Sequence, residues 1–217
     1  MDVGPRHSAQ RLDAQKKSLT ASERDEAQRQ RFRERSMHRA ADAFVLVDET
    51  GSNLNLTPRY ARAPHGTRAV GRVPRNTPPN TTLIAAMSTA GMGAAMVLEG
   101  ATDTVAFEVY VRQFLVPTLR PGQVVVLDNL SAHKNPHVRT LIEACACEVW
   151  YLPAYSPDLS PIEEAFAKLK TLLRRAAART TAALLDAIAR ALAQITAADA
   201  QNFFLHCGYT AQAIPDQ

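Results

Sequence analysis

The sequence predicts a mixed α/β fold, with antiparallel strands first and strands alternating with helices afterwards. Two short runs, Ala43 to Val47 and Val124 to Leu127, are continuously apolar, as strands covered on both faces are. Thr81 to Ser88 and Gly93 to Leu98 flank Thr89-Ala90-Gly91-Met92 and read as a hairpin. From Asp103 onward, helical spacing alternates with strand-like segments, without an internal repeat. With 217 residues, 46% hydrophobic and 21% charged, the chain is sized for one globular body and a short appendage. That composition excludes wholesale disorder and leaves no room for a second full catalytic domain.

Each element has its own signal. Residues 1 to 19 read as unstructured or as taken from a preceding segment, and Thr20-Ala21-Ser22-Glu23 is a capping-box pattern opening a charged helix to about Ala41. Its only large hydrophobes are Phe32 and Met37, so it is expected on the surface or against a partner. Residues 1–42 are thus a charged extension, and 43–217 the main body. After the first apolar run, polar residues alternate with Leu54 and Leu56 before Pro58, predicting a second strand paired with the first, so that three antiparallel strands arise in sequence. The segment 58 to 80, rich in Arg, Pro and Gly, reads as a long loop of the kind that is usually functional or disordered. Val105, Val109, Val111 and Phe114 mark a helix over Asp103 to Val116, stopped by Pro117. Then come a strand at 124 to 127, a helix from Pro136 to Ala146, a strand from Glu148 to Leu152 and a helix from Pro161 to about Ala178. Two helices, near 181 to 195 and 197 to 206, close the chain.

Charge and cysteine content narrow the function classes. The start, Met1 to Lys17, has no apolar core, and the stretch Leu83 to Leu98 is broken by Ser88, Thr89, Gly91 and Gly93. Neither secretion nor membrane insertion is expected. Cys145, Cys147 and Cys207 are an odd set without a second Cys/His pair at ligand spacing, so they are read as small packing residues in a reducing compartment. The net charge of +4 lies within residues 1 to 40, where ten Lys/Arg face six Asp/Glu. Two basic clusters stand out in the balanced remainder. Arg59, Arg62, Arg68, Arg72 and Arg75 occur without an intervening acid, and Lys168, Lys170, Arg174, Arg175 and Arg179 follow one another on one helical stretch. Such clusters neutralise a polyanion, or are merely solvated.

Asp48 and Asp128 each end an apolar strand, where a carboxylate emerges from a rigid element into a crevice. In Tyr155-Ser156-Pro157-Asp158-Leu159-Ser160-Pro161-Ile162-Glu163-Glu164, Ser160 is a natural N-cap and Pro161 suits the first helical turn. Two readings of Glu163 stay open: it completes a capping box with Ser160, or it joins the two aspartates. Three carboxylates together would repel unless a divalent cation bound them. Glu164 is expected to pair with Lys168 one turn on, and Asp158 to satisfy donors in its own turn. Ile162, Phe166, Leu169 and Leu173 mark the buried stripe of this helix.

Val47-Asp48-Glu49-Thr50-Gly51, Leu127-Asp128-Asn129-Leu130-Ser131-Ala132-His133-Lys134, and Leu152-Pro153 with Ser156-Pro157-Asp158-Leu159-Ser160-Pro161-Ile162-Glu163 together resemble the catalytic domain of insertion sequence 630 and mariner-like DDE transposases, with 34 residues between Asp128 and Glu163. The resemblance runs from about residue 43 to the end of the chain. It implies a ribonuclease H-like fold with a mixed five-stranded sheet, three antiparallel strands followed by parallel ones, flanked by helices. It further implies that Asp48, Asp128 and Glu163 are catalytic and hold two magnesium ions, for which manganese substitutes. DNA would be cleaved at transposon ends and joined to a TA target. Asn129 and His133, from the same motif, either steer a phosphate or a water or, in the case of the histidine, satisfy a local hydrogen bond. Arg59, Arg62, Arg68, Arg72, Arg75, Lys134, Lys168, Lys170, Arg174 and Arg175 are candidate contacts to double-stranded DNA.

Complete relatives carry helix-turn-helix units ahead of this domain, and here one charged helix occupies that stretch. The expected partners are therefore DNA, a second copy of the chain and a separately encoded or frameshift-joined helix-turn-helix protein, in the cytoplasm and on the nucleoid of a bacterial host. A nuclease of this fold without strand transfer, and a silent DNA- or protein-binding remnant, are the alternatives.

Overall fold

Alternation decides the architecture, because each strand sends successive residues to opposite faces of one sheet. The strands are β1 (Phe44–Ser52), β2 (Thr81–Ser88), β3 (Gly91–Glu99), β4 (Val124–Leu127) and β5 (Glu148–Tyr151), in the spatial order β3-β2-β1-β4-β5. β1, β2 and β3 pair antiparallel, while β4 lies parallel to β1 and β5 parallel to β4. The computed structural model describes residues 21–212, so the expectations for residues 1 to 19 and for Thr20 lie outside it.

The helices are α1 (Glu26–Met37), α2 (Thr104–Tyr110), α3 (Pro136–Glu143), α4 (Pro161–Ala176), α5 (Thr181–Ala193) and α6 (Ala197–His206). Phe44, Leu46, Leu83, Val126 and Trp150 pack with α4, α5 and α6 on one face of the sheet. Val45, Val47, Ile84, Val125 and Leu127 meet α2 and α3 on the other. The continuous apolar runs are thus buried on both faces, and the fold is the expected ribonuclease H-like sandwich of helices about a mixed sheet. Cys145, Cys147 and Cys207 are free thiols. No single helix among the described residues is long and apolar enough to cross a membrane.

Three local readings need correction. No strand forms around Leu54 and Leu56; β1 instead continues to Ser52. Arg179 Nη1 donates to the carbonyls of Leu54 at 3.0 Å and Leu56 at 2.9 Å, and Leu54 is buried, so the alternation there belongs to a stapled turn. The second correction concerns the helix after Asp103. Val105 is 70% exposed, while Phe107, Tyr110, Val111 and Leu115 are fully buried. α2 passes into a wider π-type turn over Val111–Leu115, and the buried face follows the larger residues.

The third correction is at the N-terminal helix. Its cap is Asp25, whose carboxylate accepts from the amides of Ala27 at 2.9 Å and Gln28 at 3.0 Å. It is also no loose appendage. Phe32 stands edge-on to Trp150 with ring centroids 6.1 Å apart, and Arg29 is completely buried. The long segment 58 to 80 carries no helix or strand and is mostly exposed.

The two sides of α2 should respond differently to truncation. Phe107→Ala is expected to cost about 3–4 kcal/mol in urea unfolding, and Val105→Ala less than about 0.5 kcal/mol. Equal losses would show that the buried face is misassigned.

Candidate active site

β4 stays beside β1 only as far as the pair Leu46 and Val126, whereas β2 follows β1 to Ser52. Asp48 therefore lies within β1 and not at its end, opposite Ala85 of β2, where the β4 side has already opened. Sharing parity with Phe44 and Leu46, it faces the α4 layer. Asp128 follows β4 directly on the other lip of this opening. Backbone donors orient both acids: Glu49 N reaches Asp48 Oδ1 at 2.7 Å, and Leu130 N reaches Asp128 Oδ1 at 3.0 Å.

Glu163 is the third residue of α4. Ser160 caps this helix without a side-chain hydrogen bond, and the Glu163 amide donates to the Ser160 carbonyl at 3.1 Å. The capping box does not form. Glu163 is exposed, and its carboxylate has no hydrogen bond or ion pair among the described residues. Asp48, Asp128 and Glu163 all line one cleft of about 380 Å³, together with Asn129 and the segment Leu152 to Pro157.

Burial pushes the Asp48 carboxyl up to about 7, and the nearby charges of Glu163, Glu49 and Asp128 add to that rise against the lowering hydrogen bond from Glu49 N. His133 supplies the countercharge on the Asp128 side. Its ring is fully buried against Phe107, centroids 4.1 Å apart, with Nδ1 against the Asp128 carboxylate and Nε2 2.9 Å from Glu49 Oε1. Burial alone would lower its pKa, but contacts with Asp128 and Glu49 outweigh that and raise it to about 9. The sequence reading missed Glu49. The residue is adjacent to Asp48, so strand alternation sends it to the opposite face, and nothing local reveals that His133 reaches both acids.

A second hollow of about 570 Å³ meets the first at Glu163 and is lined by Thr50, Arg59, Tyr60, Lys170, Arg174 and Arg175, among others. Glu163, Ala167, Lys170, Thr171 and Arg174 share one stripe of α4, while Ile162, Phe166, Leu169 and Leu173 form the buried stripe as expected. A basic track of about 16 Å thus leads along the helix from the carboxylate. The other proposed DNA contacts are placed differently. Lys168 pairs with Asp199 at 2.6 Å; Arg62, Arg68, Arg72 and Arg75 are exposed on the long loop; Lys134 is exposed and lines neither hollow. Glu164 meets His206 of α6 instead of Lys168, and Asp158 is bound by Arg29 instead of its own turn.

A family model described as DDE superfamily endonuclease matches residues 43–185, a span holding all three acids. The chain belongs to the DDE superfamily endonucleases. Among solved structures, this DDE domain is similar to a pre-cleavage Mos1 transpososome, with a TM-score of 0.71, 16% identity, and coverage of 92% of this chain and 64% of that one. A Mos1 strand transfer complex gives a TM-score of 0.70, 17% identity and coverage of 92% and 63%. A structure of the Mos1 transposase catalytic domain and raltegravir with manganese gives 0.61, 16% identity and coverage of 83% and 88%. The chain spans about 64% of the longer Mos1 chains, and at this identity the likeness concerns the fold. A comparison with curated proteins gave no match.

The DDE domain's donor set fits a divalent metal in chemistry. All three groups are carboxylates, which suit hard cations, and Asp48, raised first by burial and further by the charges of Glu163, Glu49 and Asp128, is an acid that a bound cation would favour in its ionised form. Among the described residues, no three His, Cys, Asp or Glu side chains already stand in one ion's ligand shell. Closure on a metal therefore requires side-chain movement, for which Glu163, exposed and unpartnered, is the free member.

The sign of the Asp48 shift sets a pH dependence. Its folded pKa of about 7 lies above the ordinary 3.8, so between these values the folded chain holds a proton that the unfolded chain has lost. Stability without metal should fall as pH rises from about 4 to 7 and stay low above it. In EDTA, Asp48→Asn should flatten that slope and gain on the order of 2 kcal/mol at pH 8 by chemical denaturation; an unchanged slope refutes the assignment. His133→Phe, which leaves Glu49 and Asp128 without their cation, should cost about 3 kcal/mol in the same measurement.

Proposed function

We propose that this chain is the catalytic domain of a transposase, cleaving DNA at transposon ends and transferring the strand to target DNA, with TA as the target. One observation carries the reading: three carboxylates line a cleft that opens, at Glu163, directly onto a basic track. A carboxylate cluster alone repels DNA. The track of Lys170, Arg174 and Arg175, with Arg59 across from it, holds the phosphates so that one phosphodiester is drawn up to the acids. The stacked, ion-paired His133 keeps Asp128 in place as the strand enters.

Asp48, Asp128 and Glu163 would hold magnesium or manganese, which supplies Lewis-acid activation of a water or 3′-hydroxyl and stabilises the leaving oxygen. The Mos1 transpososome and strand transfer complex support the substrate class. Two copies acting on paired ends, and helix-turn-helix recognition supplied by further residues or a separate or frameshift-joined protein, belong to the same proposal. So does a setting in the bacterial cytoplasm, on the nucleoid.

Incubation of the chain with supercoiled plasmid and Mn²⁺, alone and fused to an end-binding helix-turn-helix unit, tests this reading. Nicking is expected, and Asp128→Asn should reduce it by about 10³-fold or more, as loss of a transition-state-stabilising group does. Nicking that persists in Asp128→Asn overturns the site, and cleavage without joined products with the fusion removes strand transfer. Arg174→Ala should weaken binding to all duplexes alike and lower the salt dependence of log K by about 1.

A further inference from the structure

The turn that delivers Glu163 to the cleft is held from behind by a buried charge. Arg29 of α1 is 0% exposed, and its Nη1 and Nη2 donate to Asp158 Oδ1 and Oδ2 at 2.9 and 2.6 Å, while Nε donates to Glu26 at 3.1 Å. Taking a guanidinium out of water is costly even when it is paired, and an apolar side chain would anchor a helix at least as well. What the two-pronged contact adds is direction, because it fixes both the position and the plane of the carboxylate.

Asp158 stands in the turn Pro157–Leu159, five residues before Glu163. Backbone hydrogen bonds connect the two: Leu159 N to Ser156 O at 3.0 Å, Ser160 N to Pro157 O at 3.0 Å, and Glu163 N to Ser160 O at 3.1 Å. The turn also begins at a left-handed residue, Tyr155 with φ 54°, a conformation that side chains with a Cβ resist. Such a segment keeps its shape only when held from outside. Among the described residues, Arg29 holds Asp158 with two short contacts, Arg33 reaches the same carboxylate at 3.5 Å, and the Tyr209 hydroxyl donates to Leu159 O at 2.9 Å. Because the Glu163 carboxylate has no partner, its aim follows from where this backbone is held.

We propose that Arg29 is a positioning residue for Glu163, acting through Asp158, so that α1, outside the segment matched by the family model, clamps the turn that aims the third acid at the cleft. The proposal rests on the reading of Glu163 as a metal-holding acid. It distinguishes Arg29 from the other ties of α1. Arg35 lies over the Trp150 ring at 3.6 Å and reaches Glu148 at 3.2 Å, and so fastens the helix to β5 and not to the turn.

Hydrogen exchange on the metal-free chain separates a clamp from a mere anchor. Arg29→Met should speed amide exchange across residues 157 to 164 by about tenfold while β1 and β4 stay protected, and Arg35→Met should not. Arg29→Lys should recover part of the protection. In plasmid nicking, Arg29→Met should raise the Mn²⁺ concentration for half-maximal rate about tenfold, with DNA affinity measured in EDTA unchanged. Unchanged exchange across 157 to 164 in Arg29→Met, or the same increase in Arg35→Met, overturns the clamp. If Arg29→Met does not fold, Asp158→Asn, altered at a side chain 49% exposed, is judged by the same exchange criterion. Absence of nicking by the unaltered chain would sink the transposase reading and leave the exchange result to decide the clamp.

Discussion

Where β4 leaves β1, after Val126 and Leu46, the sheet opens a notch, and the arrangement of this molecule depends on that parting. Had β4 followed β1 as far as β2 does, the ground beside Asp48 would be closed by main chain. The short β4, four residues against nine in β1, keeps it open. Asp128 then emerges on one lip, Asp48 stands on the other, and α4 crosses the same face. Burial in the notch, with the neighbouring carboxylates adding to it, disfavours ionisation of Asp48, and the imidazole of His133 is packed between Asp128 and Glu49.

α4 reconciles two demands. One side, Ile162 through Leu173, contributes to the core, so the helix is rigidly seated. The adjacent stripe begins with a carboxylate and continues with Lys170 and Arg174. A rigid helix bearing both fixes the distance between the Glu163 carboxylate and the basic side chains, without reliance on a flexible loop. Ties in the turn before α4, from α1 and from Tyr209 beyond α6, connect this alignment to both ends of the described chain.

Much of the fold was legible because strand and helix periodicities are local. The apolar runs in β1 and β4, the hairpin of β2 and β3, and the buried stripe of α4 follow from side-chain alternation alone. Errors arose where a distant group overrode the local pattern. Alternation around Leu54 and Leu56 looked like a strand, but Arg179, more than a hundred residues later, takes both carbonyls. Val105 and Val109 fit a helical face, yet the larger Phe107 and Tyr110 claimed the core and a π-type turn shifted the phase.

By itself, the sequence placed Asp48 and Asp128 with apolar strands and Glu163 in the first turn of a helix, because apolar runs and helix starts are written in adjacent residues, although β1 runs on past Asp48. Tertiary structure alone decided which charges are compensated. Glu163 is left free because Ser160 makes no side-chain cap, His133 is shared because its buried ring spans β1 and the turn after β4, and Arg29 reaches Asp158 across 129 positions. Pairing of this kind depends on distance in space and on exclusion of water, and neither quantity exists until the chain is folded.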